Sequence, residues 1–194
     1  MKFTVSPACT TGPFFPRAFS DGSEDLVHRD SHTAQGQHIL LAGRVLELGG
    51  KPTWNMVLEI WQPDANGVFR HPLDPRSAQA DPGFWGWGRA RTEKDGWYRF
   101  HTVFPGSYED RCPHVNCAVL GIGLTRRLVT TIFFADNPDA ARDPVLSAVS
   151  AVSEAALRRR LFAHRDPTLD ESGALGYRFD VILRGEGETP FFVD

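Results

Sequence analysis

The sequence predicts an all-β chain, an antiparallel β-sandwich with an extended N-terminal arm and one short surface helix. Three observations predict it. At least seven short apolar runs recur at close spacing with turn residues between them. Glycine (18) and proline (14) are numerous but without any period, which reads as many turns rather than low complexity. Only one stretch carries the apolar spacing of a helix. The 194 residues suffice for one sizeable domain that buries its own core, and 41% hydrophobic with 23% charged residues excludes a disordered, collagenous or coiled-coil chain.

Residues 1–37 lack apolar periodicity and are rich in Ser, Asp, Pro, Gly and His, so they read as an arm with turns, and residues 38–194 as the sandwich. The apolar runs 39–48 and 56–61 flank Gly49-Gly50-Lys51-Pro52 and predict a hairpin or two neighbouring strands. Pro63 to Gly67 ends the second run with turn chemistry, and a loop without helical period follows to about Gly83. Runs 89–92 and 96–100 surround Glu93-Lys94-Asp95-Gly96, a second hairpin signal. Runs 115–121, 128–134 and 177–183 complete the strands. Residues 153–164 (SEAALRRRLFAH) place Ala155, Leu157, Leu161 and Phe162 on one side and three arginines elsewhere, predicting a surface helix of about three turns.

Charge narrows the partners. Lys plus Arg number 21 against 24 Asp plus Glu, a formal net charge of -3, with no basic stripe threaded by aromatics. Neither nucleic acid nor an anionic membrane is therefore expected. No leader pattern or membrane-length apolar run is present, and Cys9, Cys112 and Cys117 fit no zinc or redox spacing, so they read as reduced thiols of a cytoplasmic protein. Nucleotide-binding, serine-hydrolase and zincin motifs are missing. Trp85 and Trp87, beside glycines, read as interface or core packing, Tyr98 as core, and His28, His32, His38, His71 and His101 as surface or structural histidines.

The densest polar cluster is Tyr108-Glu-Asp-Arg111-Cys112-Pro113-His114-Val115-Asn116, where a loop turns into a strand and positions 114 and 116 share a face. With HILLAGRV, LEIWQPDANG, GWGRARTEKDGWYRFHTVFPGSY and the closing YRFDVILRGEGETPFF, this cluster resembles the intradiol ring-cleavage dioxygenases from about His38 onward. The resemblance implies a ferric ion held by two tyrosinates and two histidines, hard oxygen and borderline nitrogen donors suited to Fe(III). Matched residue by residue, the chain keeps Tyr108 and His114, and Arg111 stands where the family has an arginine. The other two ligand positions carry Arg76 and Asn116. A guanidinium stays cationic and repels a metal, and a carboxamide is a poor ferric donor. All four are thus read as vestigial iron-site positions.

The Pro-His-x-Asn pattern, GEGETPFF and the N-terminal Thr11-Gly12-Pro13-Phe14 are similar to the α subunit found in the protocatechuate-cleaving branch of this family. That likeness implies a non-iron chain paired with an iron-bearing β subunit of the same fold. Fe(III) would be bound by the partner, and no residue of this chain would be catalytic. The assembly would open protocatechuate with O2 to 3-carboxy-cis,cis-muconate, with Thr11, Gly12 and Pro13 lining the substrate pocket. Ile122 stands before Gly123 where such chains carry an arginine for the substrate carboxylate, with Arg126 or Arg127 as substitutes. Two other readings stay open: a β-sandwich binding module without catalytic role, and a self-sufficient dioxygenase with atypical ligands.

Overall fold

The structure is a computed structural model that describes residues 12, 14–16, 19, 21–152 and 155–192. Twelve strands form among these residues. β1 (His28–Arg29) and β2 (His32–Thr33) make a small ribbon. The main sheet comprises β3 (His38–Glu47), β4 (Lys51–Pro52), β5 (Val57–Trp61), β6 (Trp87–Arg91), β7 (Trp97–Val103), β8 (His114–Leu120), β9 (Leu128–Phe134), β10 (Phe162–Arg165), β11 (Leu175–Arg178) and β12 (Val181–Ile182). Its order runs β6, β5, β8, β9, β10, β11, β3, with β7, β4 and β12 also hydrogen-bonded to β3.

The sheet curls on itself because its two halves bury alternate side chains against each other. Ile39, Leu41 and Val45 of β3 and Phe100 of β7 meet Leu58 and Ile60 of β5, Val115, Cys117 and Val119 of β8, and Ile132 of β9 in one cluster. Gly43 sits in β3 where the chain passes closest: a Cβ there would lie 1.8 Å from the Phe179 carbonyl oxygen. Residues 21–37 lie on this body, with Leu26, Val27 and Ala34 buried in the same cluster. Cys112 and Cys117 are buried free thiols. No helix of the described residues is long and apolar enough to cross a membrane.

The all-β class holds, with three differences in detail. First, the sheet is mixed rather than antiparallel throughout, since β9 and β10, β3 and β11, and β3 and β12 pair in parallel. The cause is the excursion between β9 and β10, which returns the chain in its original direction, as parallel pairing requires. Second, that excursion holds two short helices, α1 (Pro144–Val152) and α2 (Ala155–Arg159), and Phe162 to His164 is strand, not helix. Pairing of Phe162 and Ala163 with Phe133 and Phe134 overrides the local helical spacing. Third, the turn at Glu93 to Gly96 forms, with Gly96 donating to the Glu93 carbonyl, but its flanking strands part. β6 pairs with β5 and β7 with β3, so the turn crosses between halves of the sheet instead of closing a hairpin.

Candidate functional site

β8 positions the site. Its odd residues, Val115, Cys117 and Val119, fill the core, which turns His114 and Asn116 to the opposite face. There His114 is covered rather than exposed, at 1% of its surface, by the Tyr108 ring at 5.4 Å and Phe133 at 5.7 Å. Tyr108 enters from a tight turn in which Arg111 donates its backbone N–H to the Tyr108 carbonyl and Glu109 takes a left-handed conformation (φ 50).

Hydrogen bonds fix the protons. His114 Nδ1 lies 2.6 Å from the Cys112 carbonyl oxygen, which only accepts, so Nδ1 carries the hydrogen and Nε2 is a bare acceptor. The Tyr108 hydroxyl, 3.1 Å away, therefore donates to Nε2. Burial lowers the His114 pKa to about 4, keeping the imidazole neutral. Burial likewise raises the Tyr108 phenol, against the opposing charge of Arg111, so that it stays protonated. Phenol and imidazole form a closed, neutral pair.

Arg111 is held by Asp143, whose Oδ2 accepts from Arg111 Nε at 2.9 Å and from the Cys112 amide at 3.1 Å, while Oδ1 accepts from the Val145 amide. Burial alone would raise the Asp143 carboxyl, but the Arg111 hydrogen bond and charge and these amides together hold it below the usual carboxylate range. Burial and the nearby Asp143 push the Cys112 thiol up to about 12, and burial with Glu59 does the same for Cys117. Neither thiol is a nucleophile.

A cavity of about 520 Å³ opens beside the pair. Tyr108, Phe69, Trp61 and His71 make one wall, each ring touching the next at centroid separations of 4.9, 6.2 and 5.4 Å along the Phe69–Tyr108, Trp61–Phe69 and Trp61–His71 contacts. Leu73, Pro75 and Arg76 belong to the facing loop. Arg76 donates from Nη2 to the Gly67 carbonyl at 2.6 Å, and its Nε stands 3.6 Å from Asp74. Gly67 (φ 74) packs so closely on Ser107 that a Cβ would fall 2.0 Å from its carbonyl oxygen, which draws the Arg76 anchor alongside Tyr108.

Of the four counterpart positions, the structure brings Arg76 and Tyr108 to one cavity and sets His114 directly behind Tyr108. Asn116 lines a smaller neighbouring cavity with Trp87 and Arg127, and its Oδ1 accepts from Thr131. Of the arm triad, Gly12 has a left-handed φ of 73 and open space around it, whereas Thr11 and Pro13 lie outside the described residues. Ile122 and Gly123 are exposed. Trp85 is 47% exposed, with the Arg29 guanidinium over its ring. Among the described residues no group of three His, Cys, Asp or Glu side chains could hold a metal ion.

Sequence reasoning passed over Asp143, Phe69 and Trp61 as site residues and set His71 aside. Asp143 carried a signal: Asp before Pro at a helix start caps the first turn, and the carboxylate then also reaches Arg111. Trp61, Phe69 and His71 carried none, because they come from the end of β5 and a loop of no regular period.

The curled mixed sheet carries a largely aromatic pocket beside the end of β5, and comparison with known proteins gives its class as an intradiol-type dioxygenase scaffold. Residues 10–185 match the family model described as Dioxygenase. The chain is 35% identical over 202 residues to the protocatechuate 3,4-dioxygenase alpha chain of Pseudomonas putida, covering 96% of this chain and 95% of that one. It is 39% identical over 185 residues to the beta chain of Burkholderia cepacia, covering 87% and 77%. The structure of 3-chlorocatechol 1,2-dioxygenase from Rhodococcus opacus 1CP superposes with a TM-score of 0.61 at 19% identity, covering 91% and 71%. The chain belongs to the intradiol ring-cleavage dioxygenase family.

Proposed function

We propose that this chain is the non-iron α subunit of a protocatechuate 3,4-dioxygenase, working beside an iron-bearing β subunit of the same fold. The assembly opens protocatechuate with O2 to 3-carboxy-cis,cis-muconate in the cytoplasm. One observation carries the reading: the Tyr108 phenol and the His114 imidazole spend their donor and acceptor on each other, with the Arg76 guanidinium beside them. A ferric ion does not fit this set. It would need a deprotonated phenolate where burial favours the phenol, it would face a fixed cation, and Asn116 offers only an amide already engaged with Thr131. In the β subunit, Fe(III) supplies Lewis-acid activation of the diol.

Identity alone points the other way, since the beta chain of Burkholderia cepacia is slightly more similar than the alpha chain of Pseudomonas putida. Length and donor chemistry outweigh it: the alpha-chain match runs almost end to end, whereas nearly a quarter of the beta chain is left unmatched. Under this reading residues 1–37 form an arm at the subunit interface, and Thr11, Gly12 and Pro13 line the substrate pocket.

The test is expression of the chain alone and together with a homologous β subunit. Alone and supplied with ferric iron, the chain is expected to stay colourless, without a tyrosinate-to-iron absorption band, and inactive. Together, coloured protein and ring cleavage are expected to appear in one complex containing both chains. Stoichiometric iron in the isolated chain, or a β subunit fully active and monodisperse without it, would overturn the assignment.

A further inference from the structure

A second cavity, of about 410 Å³, lies over the outer face of β10, β11 and β12 and shares no lining residue with the one beside Tyr108. Its volume falls within the range of small-molecule sites. Ala163, Tyr177 and Val181 turn into the core, so strand alternation sends Phe162 and His164, Arg178 and Ile182 to the other face. His164 and Arg178 stand opposite each other across the β10–β11 pair. The polar lining has a surplus of donors. Asp180 is its one acidic side chain, and it is closed by Arg178 (Nη2 to Oδ2, 2.9 Å) and by the Arg44 amide, so that pair is neutral as a unit. Arg160, just after α2, donates one N–H to the Glu188 carbonyl at 3.3 Å and forms no ion pair among the described residues. A guanidinium has five such donors. The exposed His164 ring has no hydrogen-bond partner among the described residues. Thr189 is 2% exposed, and its Oγ accepts from the Ile182 amide at 2.9 Å, which leaves the hydroxyl hydrogen without an acceptor.

We propose that this cavity binds an organic phosphate monoester, the phosphate on Arg160, His164 and the Thr189 hydroxyl and the organic body on Phe162 and Ile182. A guanidinium, an imidazole and a hydroxyl arriving from three segments suit a tetrahedral oxyanion, which accepts from several directions, better than a planar carboxylate. The apolar pair beside them has no use for a bare anion. The site binds and performs no reaction. It goes beyond the subunit reading and does not rest on it.

The probe is phenyl phosphate, titrated against the full chain by phosphorus NMR, with inorganic phosphate as the ligand that lacks an apolar body. Phenyl phosphate is expected to bind saturably and on the order of tenfold more tightly than inorganic phosphate. Arg160→Met should weaken it about tenfold and His164→Gln, at an exposed side chain, a few-fold. Arg159→Met removes the same formal charge from an exposed neighbour that does not line the cavity, and Arg76→Met alters the cavity beside Tyr108; both should leave the affinity unchanged. No saturable binding, equal losses in Arg159→Met and Arg160→Met, a loss in Arg76→Met, or wild-type affinity in His164→Gln and in natively folded Arg160→Met would overturn the proposal. Inorganic phosphate binding as tightly as phenyl phosphate would overturn the monoester assignment. None of these results bears on iron colour or ring cleavage by the two-chain complex, which test the subunit reading.

Discussion

His114 makes the stability of this protein depend on pH in a way that can be isolated. Its imidazole is neutral and buried, with a folded-state pKa of about 4 against 6.5 for the ordinary side chain. Above pH 6.5 the group is neutral in both folded and unfolded chains and contributes nothing to the difference. As pH falls through 6.5 the unfolded chain takes up a proton that the folded chain refuses, so stability drops until the folded pKa is reached. Each pH unit in that window costs about 1.4 kcal/mol, and by about pH 4.5 the loss from this residue alone reaches about 2–3 kcal/mol. The perturbation is His114→Gln, which cannot titrate but keeps an amide able to meet the Cys112 carbonyl or the Tyr108 hydroxyl. Urea unfolding followed by tryptophan fluorescence near neutral pH and near pH 4.5 gives the two free-energy losses. The wild-type loss should exceed that of the variant by about 2–3 kcal/mol. The same loss in both proteins would refute the neutral, buried assignment of His114.

Other outcomes follow from the same contacts. Tyr108→Phe leaves the buried His114 Nε2 without a donor, so the thermal midpoint should fall by an amount matching about 1–3 kcal/mol, read by calorimetry. Asp143→Ala strands the part-buried Arg111 charge and the Cys112 and Val145 amides; a loss of about 3–5 kcal/mol is expected in denaturant titration, larger than for Arg111→Ala with its single contact to the carboxylate. Gly43→Ala drives a methyl into the Phe179 carbonyl and should yield insoluble protein, or soluble protein destabilised by more than about 4 kcal/mol.

Much of the sheet was legible because its strands declare themselves locally. The run 128–134 matches β9 end to end, and 39–48 and 115–121 are each displaced from β3 and β8 by one residue. What was illegible is who pairs with whom. The turn at 93–96 has the chemistry of a hairpin, yet the core contacts of Ala90 and Phe100 send its flanks to different partners, information held by distant residues. Phe162 to Arg165 reads as the tail of a helix until β9 is present to pair with it. At the site, Tyr108 and His114 could be picked out as a pair because both fall on one short segment. Their mutual hydrogen bond, and the burial that holds both neutral, depend on Phe69, Phe133 and Asp143 arriving from elsewhere in the chain.

The parallel seating of β11 and β12 on β3 has a consequence for biosynthesis. Arg44 of β3 donates to Asp180 across 136 positions of sequence, and Ile39 to Ala42 pair with Leu175 to Arg178. While a ribosome is still making the chain, β3 emerges with one long flank of amides and carbonyls open, and their partners follow only some 136 positions later. For most of synthesis that flank is an adhesive edge of the sort that recruits other unfinished polypeptides. Occupancy by chaperones during translation should therefore persist until β11 and β12 clear the exit tunnel, and slowing translation of the codons between β10 and β12 should raise aggregation rather than relieve it.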